Sequence, residues 1–190
     1  ILAKIPGFDA GRFPGNVETI EEWEALLRAA KAAGLKGTSG KDLIPFSVMM
    51  ANLHNDYIIS GAFGIGTRFT HIKGEPVYGP ATPQFKDFLV LMNRWYKDGL
   101  LDAEFAANTS KMYDEKVLDN RILVMQGAMG GMVTRYTGLA RPKKPDFLLG
   151  IVKYPVLKKG EKPLLGFKTP DYTGTGAAIT TSCKNVEAAT

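Results

Sequence analysis

Few side chains in this chain could do covalent chemistry, and their spacing fixes no reaction. The two histidines, His54 and His71, lie far apart, and no Gly-x-Ser-x-Gly elbow accompanies them. A nucleophilic triad therefore has no local signature. His54, Asn55 and Asp56 could contribute to a metal site, but two ligands without a third are weak evidence for one. The same trio also reads as the polar start of a helix beside a cleft. Glu104, Asp114, Glu115 and Asp119 could supply the carboxylate pair of a glycosidase. Nothing in the sequence sets their separation, on which that chemistry depends, and a solvated helix surface is the default. Gly127–Gly131 follows an apolar run and opens a helix, a setting in which backbone amides bind anions. It lacks both the Gly-Lys-Ser/Thr ending of a P-loop and the order of a dinucleotide fingerprint. The alternative is that these glycines permit a tight strand-to-helix turn. Cys183 is the only cysteine, which excludes an internal disulfide and a cysteine-cluster metal site. No catalytic residue, resident cofactor or metal is assigned.

The best-punctuated element is the helix after Thr82. Thr82 suits the N-cap, Pro83 the first helical position and Gly99 the left-handed stop. Phe85, Phe88, Leu89, Met92, Trp95 and Tyr96 recur at threes and fours and predict its buried stripe. An earlier helix opens with the capping-box pair Thr19 and Glu22, buries Ile20, Trp23, Leu26, Leu27 and Ala30, and stops at Gly34. Between and beyond these lie a strand at Leu43–Ser47, a helix within Met49–Phe63, and a hairpin over Arg68–Tyr78 with Lys73–Pro76 as its turn. Ser110 is expected to cap a helix over Lys111–Leu118. A buried strand at Arg121–Gln126 leads through the glycines to a helix at Met132–Leu139. Strands at Phe147–Lys153 and Gly176–Thr181 complete the order. Short apolar strands alternating with amphipathic helices predict an α/β fold, its central sheet mostly parallel and flanked by helices. Ligands of open α/β sheets sit beyond the carboxyl ends of strands. That rule points to Ser47–Asn55, Gly127–Tyr136 and Asp171–Thr175.

At 190 residues the chain suffices for one large domain or one lobe of a larger protein. No apolar run approaches the roughly 20 residues of a membrane span. The net charge of +5 owes much to lysines between Arg141 and Lys168. These sit among Pro and Gly turns without a stacking pattern or reading helix, so they predict a solvated loop face and no nucleic-acid partner. The chain starts at Ile1 and stops where a helix has only begun after Asn185, which leads us to expect a piece of a longer protein.

Three segments in order resemble the extracellular solute-binding proteins of ABC importers, in the carbohydrate-type group with many lipoprotein members. They are ETIEEWEALLRAAKAAG with the following LIPFS, then YGPATPQFKDFLVLMNRWYKDGLLDAEF, then AAITTSCKNVEAA. RILVMQGAMGG sits where that family has a strand followed by a glycine. The resemblance spans nearly the whole chain and rests on order and spacing more than on any one motif. It implies a type II periplasmic-binding-protein-like fold of two lobes, of which residues 1–190 would be the second lobe alone. It also implies a sugar or oligosaccharide ligand, hinge closure, a membrane permease as partner, and an extracellular or periplasmic, often lipid-anchored, full-length protein. Carried over by position, Ser47, Asn52, His54, Asn55, Arg135, Tyr136, Asp171 and Tyr172 would face the cleft. They offer donors, acceptors and flat apolar faces for a polyol. Trp95 and Tyr96 are expected to hold the lobe together. Many lipoprotein members carry an acidic, calcium-loop-like turn before the Ile-Pro strand. Here Gly34–Asp42 has only Asp42, too few hard oxygen ligands for calcium, and no metal is expected. The competing readings are an enzyme or binding domain for a phosphorylated metabolite built on Gly127–Gly131, and a structural or peptide-binding domain.

Overall fold

The first helix, α1 (Ile20–Ala32), forms because its start is chemically satisfied. Thr19 Oγ1 accepts from the Glu22 amide at 3.2 Å, and the Glu22 carboxylate accepts in return from the Thr19 amide at 3.0 Å and the Glu18 amide at 2.7 Å. Those two amides hold the Glu22 carboxyl below its usual range. Ile20, Trp23, Leu26, Leu27 and Ala30 are buried as the spacing predicts. Gly34 stops the helix at φ +59°. The computed structural model describes residues 4–6, 17–50, 58–66, 68–127, 129–163 and 179–187.

The long helix, α2 (Pro83–Lys97), is capped by Thr82, whose hydroxyl accepts from the Phe85 amide at 3.4 Å; Gly99 follows at φ +63°. Its buried face is Phe88, Leu91, Met92 and Trp95. This corrects the expected stripe: Leu89 and Tyr96 are about half exposed, and Leu91 takes the inner position. A 3.6-residue period admits either neighbour of the Phe88–Met92–Trp95 line, and contact with the core selects Leu91. Tyr96 instead stands edge-on to Phe105. Glu24 ties α1 to α2, accepting from Trp95 Nε1 at 2.9 Å and from Arg28 and Arg94. Burial pushes the Glu24 carboxyl up, but these donors outweigh it and hold it at about 2.

The fold is α/β, and among the described residues the parallel sheet has two strands. Strand β1 (Ile44–Ser47) runs parallel to β4 (Ile122–Met125), with Ile44 opposite Ile122 and Phe46 opposite Val124. On its other edge β1 gains a single parallel bridge between Phe46 and Leu101. A separate hairpin pairs β2 (Phe69–Ile72) with β3 (Glu75–Tyr78). Its turn is two residues, Lys73 and Gly74, both left-handed at φ +54° and +87°, so Glu75 and Pro76 belong to the strand. Helix α3 (Ser110–Leu118) is capped by Thr109, one residue before the expected Ser110. After β4 a π-helical turn, Met129–Val133, runs straight into α4 (Thr134–Ala140).

Other expectations need correction. The chain over Phe147–Lys153 is irregular, and its only ladder contact follows later, a parallel bridge between Val156 and Thr19. Ile179–Thr181 is not a strand, and residues 176–178 lie outside the described residues. The described end of Met49–Phe63 is a short 3-10 turn, Ser60–Phe63, while residues 51–57 lie outside. The core divides in two. One cluster joins α1, α2 and β1, with Phe46 edge-on to Trp95 at 6.0 Å; the other gathers Tyr113, Val117, Ile122, Tyr136 and Phe147 around α3 and α4.

Candidate functional site

Strand β1 ends at Ser47 on a buried polar network. The Ser47 hydroxyl donates to Asp102 Oδ2 at 2.7 Å, and its carbonyl accepts from Tyr113 Oη at 3.0 Å. Asp102 also accepts from Asn108 Nδ2 at 2.8 Å, from the Glu104 amide at 3.1 Å and from Lys116 Nζ at 2.9 and 3.1 Å. Lys116 further reaches Asn108 Oδ1 at 2.7 Å and Glu104 Oε2 at 2.9 Å. Both charged groups are about 95% buried, with Asp102 at 4% and Lys116 at 5% exposure. A buried charge is tolerated when it is paired and its remaining hydrogen-bonding capacity is filled. Burial alone would raise the Asp102 carboxyl; Lys116, Ser47 and Asn108 outweigh that and lower it.

The same topology brings two helix starts to the carboxyl ends of the parallel strands. Helix α3 leads into the start of β4, so its first turn lies towards the end of β1, where Tyr113 bonds Ser47. Helix α4 follows the end of β4. Between these starts Asp114 accepts from both arms of Arg135, one at 3.0 Å, and from Tyr136 Oη at 2.7 Å. The Arg135 guanidinium lies 5.4 Å from the Tyr136 ring centroid. Burial, then the Asp114 carboxylate, pushes the Tyr136 phenol up; burial, then neighbouring Tyr136, does the same for Tyr113. Both phenols stay protonated donors at neutral pH. The Arg135 side chain is 51% exposed and held in place by a two-point pair. The cluster thus presents an oriented cation beside a carboxylate, a pattern that can give and take hydrogen bonds with adjacent hydroxyls.

Of the residues expected at the site, Arg135 and Tyr136 meet, and Ser47 lies beneath them through Tyr113. Ser47 is fully buried, with its hydroxyl committed to Asp102. Tyr136 is also buried, 1% exposed, and contributes a donor to Asp114. Asn52, His54, Asn55, Asp171 and Tyr172 lie outside the described residues. Asp114 enters the sequence reading only as one of four carboxylates for a glycosidase pair, and neither it nor Tyr113 is expected at this cluster. The two are adjacent residues near the start of the helix that Thr109 caps.

The other chemical candidates find different roles. Glu104 pairs with Lys116, and Asp119 accepts from the Ser39 amide and hydroxyl at 2.7 and 2.6 Å. At the glycine turn a Cβ on Gly127 would stand 2.0 Å from Met132 Sδ, so this glycine allows close packing. The residue before α4, Val133, is already helical, and no side chain caps the start. The amides at the start of α4 therefore continue the helical run of Met129–Val133. In the Gly34–Asp42 turn, Asp42 pairs with Lys36 at 2.7 Å. Among the described residues no group of three His, Cys, Asp or Glu side chains is placed to hold a metal ion, and no helix is long and apolar enough to cross a membrane.

Neither a scan against protein-family models nor a search of curated proteins found a match. Among solved structures, the chain is similar to the S. pneumoniae ABC-transporter substrate binding protein FusA, an EF-hand mutant in complex with fructo-nystose. The identity is 22% and the TM-score 0.49, over 56% of this chain and 23% of that one, so the match spans about a quarter of that protein's length.

Proposed function

We propose that the chain is the second lobe of an extracellular solute-binding protein of an ABC importer, and that it binds rather than transforms its ligand. The observation that carries this reading is the Asp114–Arg135–Tyr136 cluster at the carboxyl ends of β1 and β4, where open α/β folds hold ligands. An oriented carboxylate and guanidinium suit a hydroxyl-rich solute, a sugar or oligosaccharide. The three ordered sequence motifs agree with it. In the full-length receptor a second lobe would supply the opposite wall, and ligand would favour closure by touching both. The permease would then be the macromolecular partner, and the receptor would work outside the cytoplasmic membrane, free or lipid-anchored.

The test is an NMR titration of the chain with mono- and oligosaccharides and, separately, with inorganic phosphate. We expect sugar binding on the order of millimolar, since half the contacts are missing. It should perturb Arg135 and Tyr136 signals and vanish in Arg135→Ala. Phosphate binding at Gly127–Gly131 with no response to any sugar would overturn the reading in favour of an anion-binding domain.

A further inference from the structure

The β2–β3 hairpin turns one whole face to solvent. Its register sets Phe69 opposite Tyr78 and His71 opposite Pro76, and alternate residues of a strand share a face. All four are exposed, whereas Thr70, Ile72 and Val77 of the other face are half-buried. Phe69 is 71% exposed, more than any other large apolar side chain among the described residues, and Tyr78 is 48% exposed. Their ring centroids lie 5.0 Å apart. The base of the hairpin is fixed: the Gly79 amide donates to the Arg68 carbonyl at 3.0 Å, and Gly79 sits too close to the Gly66 carbonyl for a Cβ. A cross-strand aromatic pair steadies a hairpin, yet this one leaves most of Phe69 and half of Tyr78 in water.

Size and charge narrow the occupant. An aromatic side chain offers about 150–250 Å² in all, so the two rings present about 250 Å² between them. A stable protein interface needs roughly 800 Å² from each partner, so neither a second copy nor another protein is held by this face alone. The one acidic residue of the two strands, Glu75, belongs to the other face, and neither strand carries Lys or Arg. The face therefore suits a small neutral ligand. A pyranose with equatorial hydroxyls carries axial C–H bonds on both sides of its ring, and these polarised C–H groups meet the negative face of an aromatic ring. Its hydroxyls need donors and acceptors, which the His71 ring nitrogens and Tyr78 Oη provide on the same face. We propose that the outer face of this hairpin binds a neutral carbohydrate, with Phe69 and Tyr78 against the C–H side of a pyranose ring and His71 and Tyr78 bonding its hydroxyls. The site shares no residue with the Asp114–Arg135–Tyr136 cluster and does not rest on the receptor reading.

The test follows the aromatic 13C–1H signals of the chain during titration with cellotriose, whose ring hydroxyls are all equatorial, and with sorbitol, which has hydroxyls but no ring. Cellotriose should move the Phe69, Tyr78 and His71 ring signals in a saturable way, with a Kd on the order of ten millimolar. Saturating the aromatic protons should transfer to the axial ring protons of the sugar. Sorbitol should do neither. Phe69→Leu keeps an apolar side chain and removes the π face, and should weaken cellotriose about fivefold. Arg135→Ala abolishes any response at the cluster, while the response at the hairpin should persist. The proposal is overturned if the three ring signals stay fixed up to the solubility limit of the sugar, if sorbitol moves them equally, if Phe69→Leu binds as well as wild type, or if Arg135→Ala removes the hairpin response. The wild-type titrations decide the matter even if Phe69→Leu folds poorly.

Discussion

Replacing Lys116 with methionine separates the buried charge from its surroundings at nearly constant volume. Lys116 Nζ touches both Asp102 oxygens, Asn108 Oδ1 and Glu104 Oε2 within 3.1 Å. Removing one partner of a buried pair costs about 3–5 kcal/mol, because the other charge stays buried and uncompensated. Asp102 would keep Ser47 Oγ, Asn108 Nδ2 and the Glu104 amide as donors, so the expected loss is about 3 kcal/mol. For a domain of this size that is a fall in melting temperature of roughly 10 °C. Urea unfolding followed by far-UV circular dichroism measures it directly.

The pH dependence of that loss carries the diagnosis. In the wild type Asp102 titrates below its usual range, so its contribution is full above the unfolded carboxyl's pKa and fades in acid. In Lys116→Met, burial without the cation raises the same carboxyl. The folded variant then binds its proton before the unfolded chain does, and gains stability as the pH falls. The gap between the two proteins should therefore narrow from neutral pH towards pH 4. Lys116→Met combined with Asp102→Asn should recover at least half of the loss at neutral pH. A gap that stays constant with pH, or a double variant no better than the single one, would refute an uncompensated Asp102 as the cause.

Two further perturbations test the scaffold. Glu24 titrates at about 2 against 4.5 in a free chain, so its stabilising effect is complete above about pH 4.5 and drains as the pH falls towards 2. After solvent screening this is worth about 2 kcal/mol, and the acid limb of a stability–pH curve should be flatter in Glu24→Gln. A Cβ built on Gly79 stands 1.8 Å from the Gly66 carbonyl oxygen; Gly79→Ala should cost about 2 kcal/mol and raise amide exchange in the β2–β3 hairpin above that of α1.

What the sequence disclosed and what it hid divide along a physical line. The Thr19–Glu22 box, the Thr82 cap and the stops at Gly34 and Gly99 are contacts between near neighbours, so residue type and spacing specify them. β1 and β4 were legible as short apolar runs. Phe147–Lys153 has the same composition but forms no strand. Pro145 and Pro155 bracket it, and Leu148 and Ile151 face outwards, so no alternating pattern holds it to a sheet edge. At the site, Arg135 and Tyr136 could be named because they follow a strand end. Asp114 could be named as a carboxylate but not placed here, because only the chain reversal through β4 brings it within reach of a residue 21 positions later. The Ser47–Asp102 bond spans 55 positions, and nothing in a local window marks Asp102 as a buried ion.

Tyr113 joins the buried floor to the exposed cluster, which makes it the most informative single position. Its hydroxyl bonds the Ser47 carbonyl at 3.0 Å, and the next residue, Asp114, receives Arg135 and Tyr136. Tyr113→Phe keeps the ring and leaves a buried carbonyl without this donor, a cost of about 1–2 kcal/mol. If Tyr113 anchors the first turn of α3 to β1, the loss will be local as well as global. Amide exchange at Met112, Tyr113 and Asp114 should quicken more than in α2, which shares no contact with that bond. The Arg135 guanidinium should also exchange faster, since its carboxylate partner rides on the same turn. A uniform change across α2 and α3, or an unaltered Arg135, would show that Asp114 is held by its own helix. The cluster would then be independent of the buried network beneath it.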